Sequence, residues 1–535
     1  MALSRASGLC RLALRTPWAA ARLLSSAAGG ERPSGEDKRG RRVDLDALRR
    51  ERALRSPSER TEPASPARKV YRTAKPSLEQ MQLNQEIQAC GSVEDVLALV
   101  GSRFAQLSVV NITTALITLS RRASRTAGAR LQGDTRFAQL LAAAESLFAS
   151  MESRGLSNTL YACGQLRVSP PDGWLQRFWE ASGPRLGEFK TVELNIALYA
   201  CSQLGVTPPP DWLPRFWLAS ASKMGEFKPQ ELSNMVYACG QLGVVPPSDW
   251  LQHLWAESGS RLSDFDSQNL ANMVHGCGQL RIKPPADWLL RCWAASASKL
   301  RTFEPRELGM MMLACGSLGI RPPADWMQHF SAACEQSLAD LSTQNLSNIV
   351  LALAMLGVWE LPALRGIWAR LCGSLSRGVG AWSEEDHMNA RQLYQAYQAA
   401  AVERPGLLPA PSPELLAAAR TSRVASINEP VRRTRFHIDI SACLTLMGVR
   451  HANEPWCARA DRIVDIAIDG SPPTAVEMDG PTHFLQDGGP TGASLFRNRM
   501  LEAHGWRVVV VDHRTWDGPK TQQQREEYLR RVLAL

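Results

Sequence analysis

The sequence lacks three features that would assign it to a common class of protein. Its twelve cysteines include no Cys-x-x-Cys pair, which argues against a zinc site or a disulfide framework. No apolar run is long enough to cross a membrane, so we expect no membrane partner. The net charge of +9 lies in the first 77 residues, because residues 78–535 sum to about −1. Binding to a polyanion would therefore depend on local arrangement rather than on net charge.

The N-terminal charge belongs to two segments. Residues 1–30 contain four arginines and no acidic residue among Ala, Leu and Ser, which is typical of an organelle transit peptide. The Arg-rich pattern favours import into the mitochondrion, with the chloroplast as the alternative. Residues 31–77 are rich in Arg, Glu, Pro and Ser and are predicted to form a disordered basic linker.

The middle of the chain repeats itself every 38 residues. Five tryptophans share this spacing and follow a Pro-Pro pair and an Asp, with one inserted Gly in the first copy: Trp174, Trp212, Trp250, Trp288 and Trp326. Five cysteines keep the same period: Cys163, Cys201, Cys239, Cys277 and Cys315. A period of this length indicates supersecondary units stacked in tandem, which offer a long surface to a partner.

Each repeat reads as a helical hairpin. In one copy, Trp212, Phe216 and Trp217 fall on one stripe of a first helix that is predicted to run to about residue 224. A second helix follows and is ended by Gly243 and a Pro-Pro pair. We therefore predict a mainly α fold, an α-solenoid of 38-residue hairpins over residues 153–377. Residues 78–152 are predicted to be diverged repeats or a cap.

The tryptophan column has two interpretations. Aromatic side chains can stack on bases in proteins that bind single strands. However, the tryptophans share their stripe with other apolar residues, such as Leu213, and this predicts packing between repeats. The cysteine column is predicted to be small, buried and reduced for the same reason.

The polar columns are the candidates for base recognition. The column that varies between acid and amide is predicted to read bases: Glu193, Glu231, Asn269, Glu307 and Asn345. The alternative is that these residues cap the first turn of the second helix, because they fall near its third position. Nearly constant columns of Asn and Gln are better suited to hydrogen bonds between repeats, and two of their members, Asn234 and Asn272, are also candidates for RNA contact.

With these motifs, residues 153–377 resemble the octotricopeptide repeat of organelle proteins. The resemblance rests on the hairpin with Pro-Pro-x-Asp-Trp, and it weakens at the last unit, which begins near Asn345 and lacks this motif. It implies sequence-selective binding of single-stranded organelle RNA, an mRNA or an rRNA. Helical repeats of this kind can read about one base per unit.

The pattern changes after a helix and a Pro- and Ala-rich linker, which are predicted for residues 378–434. Residues 435–535 are predicted to form a small α/β domain with helices over 440–447 and 495–504 and a closing helix. The predicted strands span residues 462–468, 474–479 and 507–512.

This stretch resembles a RAP domain, whose plan is similar to that of the Vsr-like PD-(D/E)xK nucleases. The resemblance rests on residues 477–484, 497–501 and 505–512. It implies a domain that contacts RNA, and Arg497, Arg499 and Lys520 are the candidate RNA-binding residues.

The nuclease plan raises the question of catalysis. Cleavage of this type needs carboxylates on adjacent strands to hold Mg²⁺, and Asp465 and Glu477 are the candidates, with Asp479 or His483 beside them. The family lysine two residues after the second carboxylate is replaced here by Asp479. The alternative is structural: Asp479 ends a strand, His483 is hydrogen-bonded, and Asp465 pairs with an arginine such as Arg497.

Three classes of function remain open. The first is an RNA-binding factor that supports RNA processing, stability, rRNA maturation or translation. The second is an endoribonuclease that requires Mg²⁺; no cofactor is expected otherwise. The third is a structural component of the organelle ribosome. Besides RNA, the expected partners are the organelle ribosome and RNA-processing proteins.

Overall fold

The computed structural model describes residues 77–124, 127–427, 434–518 and 521–534. The predicted transit peptide and almost all of the predicted linker lie outside these residues. The chain divides into two compact units, one ending at Arg261 and one beginning at Leu262. The predicted mainly α class is confirmed, with helices in tandem followed by a small region of strands and helices. In the described part of the chain, no helix combines the length and the apolar character needed to span a bilayer.

The unit that ends at Arg261 is built from helices. They are α1 Leu78–Ala89, α2 Val93–Ser102, α3 Val109–Arg122, α4 Ala127–Leu131, α5 Thr135–Ser146, α6 Ser153–Leu166, α7 Trp174–Ser182, α8 Thr191–Leu204, α9 Trp212–Ala221, α10 Pro229–Leu242 and α11 Ser248–Gly259.

The second unit contains the remaining hairpins, then the strands and the helices that accompany them. Its helices are α12 Ser267–Leu280, α13 Ala286–Ala297, α14 Pro305–Leu318, α15 Ala324–Gln336, α16 Thr343–Leu356, α17 Leu364–Ser376, α18 Glu384–Glu403, α19 Pro413–Ile427, α20 Arg435–Leu446, α21 Gly492–Ala503, α22 His513–Trp516 and α23 Gln522–Leu533. Its strands are β1 His451–Asn453, β2 Trp456–Cys457, β3 Arg462–Ile463, β4 Ile466–Ile468, β5 Thr474–Asp479 and β6 Arg507–Asp512.

The hairpins follow the predicted pattern with one difference. The first helix α9 ends at Ala221 rather than near residue 224, because Met224–Glu226 forms a separate 3₁₀ turn. The second helix α10 ends where Gly243 adopts φ of +66°, the left-handed conformation that a glycine adopts without a steric penalty. The sequence therefore predicted the hairpin and the interruption near Phe227, but not the 3₁₀ turn that precedes it.

The tryptophan column is buried, as predicted. Trp212 and Trp250 are 2% and 0% exposed. The indole of each donates to the serine that lies 30 residues earlier: Trp212 to Ser182 at 3.0 Å and Trp250 to Ser220 at 2.9 Å. Each tryptophan thus ties its hairpin to the preceding one through both packing and a hydrogen bond.

Small residues let the second helices approach each other closely. A Cβ placed on Gly164 would lie 3.1 Å from the Cα of Ala200, and one on Gly316 would lie 2.9 Å from the Cα of Ala352. The neighbouring cysteine column is buried, and burial raises the pKa of Cys163 to about 12. These thiols are therefore inert packing residues, as their position in the repeat predicted.

The C-terminal strands form a four-stranded sheet of order β1-β4-β5-β6, in which only the β5–β6 pair is parallel. The predicted strand over 462–468 is wrong as a single element, because β3 pairs with β2 while β4 joins the larger sheet. The strand is interrupted at Asp465, whose carboxylate accepts a hydrogen bond from the backbone N–H of Met478 at 2.8 Å.

The C-terminal helices begin earlier than predicted. The helix expected over 440–447 is α20, and the one expected over 495–504 is α21. Thr434 and Thr491 accept hydrogen bonds from His437 and Ser494 and so cap these two helices at earlier residues. The segment predicted as a helix and a linker, 378–434, holds two helices, α18 and α19.

Candidate nucleic-acid interface

Several second helices each present a polar and aromatic face of their own. Sixth, ninth and thirteenth positions of a 14-residue helix lie on the same side, because they are separated by three and four residues. In α10 these positions hold Asn234, Tyr237 and Gln241, and all three side chains are half-buried rather than fully enclosed.

The same three positions recur with related chemistry in the neighbouring helices. In the first unit they are Asn158, Tyr161 and Gln165 in α6 and Ile196, Tyr199 and Gln203 in α8. In α12, in the second unit, they are Asn272, His275 and Gln279. Burial, with a smaller effect of Arg306, lowers the pKa of His275 to about 4, so this ring is neutral at pH 7. Each of these helices therefore offers one aromatic ring and at least one amide.

Cationic side chains stand at the start of three of these helices, whereas α12 begins after Asp266. Lys190 and Lys228 are exposed at the residues just before α8 and α10, and Arg154 is exposed in the first turn of α6. The N-terminal end of a helix also carries a partial positive charge. This end of the face is suited to phosphate groups.

The column predicted to read bases occupies a different position. Glu193, Glu231, Asn269 and Glu307 are 4–8% exposed. The carboxylate of Glu193 accepts a hydrogen bond from the backbone N–H of Lys190 at 2.8 Å, and that of Glu231 accepts one from Lys228 at 3.0 Å. The carboxylate of Glu307 likewise accepts one from the backbone N–H of Glu304 at 2.9 Å. This geometry favours the capping interpretation for the three glutamates.

The amide members of that column are less uniform. Asn269 is buried, and its backbone N–H donates to the capping carboxylate of Asp266. Asn345 is half-buried, and its backbone N–H donates to the capping hydroxyl of Ser342. Little of Asn269 is therefore exposed to a base.

At the same positions α14 holds Met310, Leu313 and Ser317, and α16 holds Asn348, Leu351 and Met355, so a leucine replaces the ring where the C-terminal α/β region packs. The helix α21 approaches the C-terminal ends of both helices so closely that a Cβ on Gly492 would lie 1.7 Å from the carbonyl oxygen of Gly316. Arg499 donates to the carbonyl of Met355 at 2.9 Å and pairs with Glu403 at 2.7 Å. Arg499, predicted to contact RNA, is thus engaged in holding this region on the hairpins.

The candidate catalytic residues lie together at the end of β5. Arg497 pairs with Glu477 at 3.1 Å and with Asp479 at 2.9 Å, and His483 lies 3.2 Å from Asp479. Glu477 and Asp479 are 2% and 1% exposed. The structure therefore brings all four predicted residues near one arginine, which was itself predicted to contact RNA and which pairs with two of the carboxylates.

Burial governs the protonation of this cluster. Burial, with help from the charge of Asp465, raises the pKa of Glu477 to about 7. Burial also raises the pKa of Asp465 and lowers that of His483. Among the described residues, no three His, Cys, Asp or Glu side chains are placed to hold a metal ion. The cluster is a charged core in which Arg497 and the buried Arg462 offset the carboxylates.

Sequence reasoning missed part of this interface. The tyrosine column was not singled out, although Tyr161, Tyr199 and Tyr237 keep the 38-residue period that revealed the tryptophans. The ring of a Tyr can be core or surface, and only its position on the packed helix decides between them. Lys520, the remaining predicted RNA contact, lies outside the described residues.

The fold places this protein among the helical-repeat proteins, with tandem hairpins followed by a small α/β region. Residues 476–532 match the RAP domain model, so the chain carries a RAP domain, as its resemblance predicted. Residues 94–320 match the model of the Tbc2 translation factor, N-terminal domain. A RAP domain-containing protein, chloroplastic, of Oryza sativa subsp. japonica is 29% identical over 178 residues, which are 32% of this chain and 27% of the relative. The match thus spans about a quarter of the rice protein.

Proposed function

We propose that this protein binds single-stranded RNA in an organelle through the polar faces that the second helices present within each unit. The observation that carries the proposal is the recurrence of an aromatic ring and amides on that face, with cations at its edge. The resemblance to the octotricopeptide repeat supports the same function. The RNA would be an mRNA or an rRNA.

The chemistry of the face matches an unpaired strand. An aromatic ring that stacks on a base contributes about 1–3 kcal/mol and tolerates any base. The amides of Asn and Gln can donate to and accept from base edges, and this adds selectivity. Because α6, α10 and α12 each present one Asn, one ring and one Gln, we propose about one base per hairpin. In α8 the Asn position holds Ile196, which would contact a base without reading its edge.

The comparisons support an organelle and a role in gene expression there. The rice relative is named as chloroplastic, which supports the chloroplast over the mitochondrion that the N-terminal segment favoured. The match to a translation factor domain supports a role close to translation. Processing or stabilisation of the bound RNA, rRNA maturation and a place on the organelle ribosome fit the same surface.

For the RAP domain we propose RNA contact or recruitment of a partner without cleavage. The feature that favours a nuclease is a pair of carboxylates on β5, Glu477 and Asp479, with Asp465 just before β4. However, Arg497 pairs with Glu477 and Asp479, and the exposed fractions of these two residues are 2% and 1%. Purified protein should therefore leave RNA intact in the presence of Mg²⁺. Cleavage that is lost in Glu477→Gln would establish the endoribonuclease instead.

The binding face is tested by changing its rings one at a time. Tyr237→Leu keeps an apolar side chain of similar reach but removes stacking, and we expect an affinity loss of about 1–3 kcal/mol for single-stranded RNA. Tyr237→Phe should bind nearly as the parent does. Leu218→Ala, which changes an exposed residue of the first helix α9, is the control. Equal affinities for all three variants, with unchanged melting, would refute the proposed face.

A further inference from the structure

Two neighbouring cavities open on the second unit. The first has a volume of about 460 Å³ and is lined by α18 and α19, with Tyr397 and Leu416 among its apolar residues and Arg459 and His504 contributed from the C-terminal region. The second has a volume of about 450 Å³ and contains Trp456. Both are open depressions in the surface rather than enclosed cavities.

One arginine belongs to both cavities. Arg420 lines the first and the second, and its Nε and Nη2 each lie 2.8 Å from the carboxylate of Asp461. Asp461 is 4% exposed and also accepts from the hydroxyl of Tyr394. A bidentate pair of this kind fixes the plane of the guanidinium. The arginine is thus held at the junction of the cavities while its side chain remains 55% exposed.

The rim carries more positive than negative charge. Asp461 offsets Arg420, which leaves Arg459 as an exposed cation of the first cavity, with His504 beside it. The occupant should therefore be anionic. A guanidinium binds phosphate or carboxylate through two parallel N–H donors.

Each cavity also has an aromatic surface. In the first, Tyr397 is backed by the buried ring of Trp368, with ring centroids 6.1 Å apart and an angle of 17°. In the second, Trp456 is 39% exposed. Exposed indoles on a short strand contribute little to a core but stack well on a base.

We propose that these cavities form a subsite for two consecutive unpaired nucleotides. One base lies in the cavity of Tyr397 and the next in the cavity of Trp456. The phosphate that joins them pairs with Arg459, and Arg420, whose Nε and Nη2 face Asp461, contributes only through Nη1. The order of aromatic surface, cation and aromatic surface matches base, phosphate and base. The subsite rests on the proposed RNA binding, but it uses residues that the repeat face does not contain.

The test uses the full chain and two RNA probes. The first probe is a dinucleotide of uridines with a 5′-phosphate and a photoreactive 4-thiouridine, and the second is a randomised pool of longer single strands. After irradiation, mass spectrometry identifies the crosslinked peptides. We expect the dinucleotide to attach to peptides that contain Tyr397 or Trp456.

Variants connect the crosslinks to the two cavities. Trp456→Ala and Arg459→Ala should each lower the yield with the dinucleotide by roughly tenfold, as loss of one stacked base or one phosphate contact does. Arg459→Lys should retain part of the yield, and Arg530→Ala, an exposed arginine of α23 outside both cavities, should retain all of it. Circular dichroism confirms that each variant is folded.

The outcomes separate this inference from the proposed function. Attachment of the dinucleotide elsewhere, or a yield that Arg459→Ala leaves unchanged, overturns the subsite even if the longer pool crosslinks to the second helices. A crosslinked dinucleotide with no binding of the longer pool to those helices supports the subsite and refutes the repeat face. If the dinucleotide forms no crosslink to either aromatic residue and an acidic peptide binds there instead, the cavities belong to a protein partner and the subsite is overturned.

Discussion

Replacing Trp250 measures how strongly the hairpins are held together. The side chain is fully buried, its indole donates to Ser220, and its ring lies 5.2 Å from that of Trp217 at an angle of 62°. Trp250→Ala removes all of these contacts and leaves a cavity, which costs about 3–5 kcal/mol of unfolding free energy.

A smaller change separates the hydrogen bond from the packing. Trp250→Phe keeps an aromatic ring but removes the indole N–H, which contributes about 1 kcal/mol, and part of the buried area. Ser220 still donates to the carbonyl of Phe216 at 2.8 Å, so its hydroxyl keeps a partner. We therefore expect a loss of about 2 kcal/mol, between the parent and Trp250→Ala.

Urea unfolding followed by circular dichroism gives the overall change, and hydrogen exchange locates it. Because each hairpin contacts mainly its neighbours, amides of α9, α10 and α11 should lose protection first. Leu218→Ala is the matched control, because Leu218 is 45% exposed and its loss should cost less than about 0.5 kcal/mol. A loss below about 1 kcal/mol for Trp250→Ala, or weaker RNA binding with unchanged stability, would refute the packing role.

Three further changes probe the cap, the docking of the RAP domain and the buried carboxylates. Glu231→Ala should lower stability by about 1 kcal/mol without changing base preference, as calorimetry and RNA selection would show; a changed preference would restore Glu231 as a base-reading residue. Gly492→Ala should displace α21 from α14, because its Cβ would overlap a backbone oxygen, and faster proteolysis between these elements would report it; parent-like proteolysis contradicts the contact. In the folded state the pKa of Glu477 is about 7, against an ordinary 4.5, so the folded protein binds a proton on this carboxyl more tightly than the unfolded chain does. The stability that this proton contributes is therefore lost as the pH rises from 4.5 to about 7. Glu477→Gln should flatten the fall in melting temperature over that range, and an unchanged slope would refute the assignment.

Periodicity predicted most of the fold. The tryptophan and cysteine columns identified the hairpins because inter-repeat packing demands the same residue at the same place in every unit. The break at Asp465 was not predictable, since it depends on a side chain that bonds to the neighbouring strand. The early starts of α20 and α21 were missed because the capping threonines precede the apolar pattern by several residues.

The candidate site was predicted less completely. The cluster of Glu477, Asp479 and His483 was found from its motif, but its pairing with Arg497 depends on how α21 crosses the sheet. The column of Glu and Asn residues gave two predictions from sequence, and the hydrogen bonds of its glutamates to the backbone, with their burial, favour the cap. Arg420 and Trp456 carried no motif, because residues far apart in the chain form their cavities.

The most direct test of the account is photocrosslinking of the full chain to organelle RNA, followed by identification of the crosslinked residues. We expect attachment to Tyr161, Tyr199, Tyr237 and neighbouring amides of the second helices. Attachment confined to the first helices, or no crosslink to any single-stranded RNA, would contradict it.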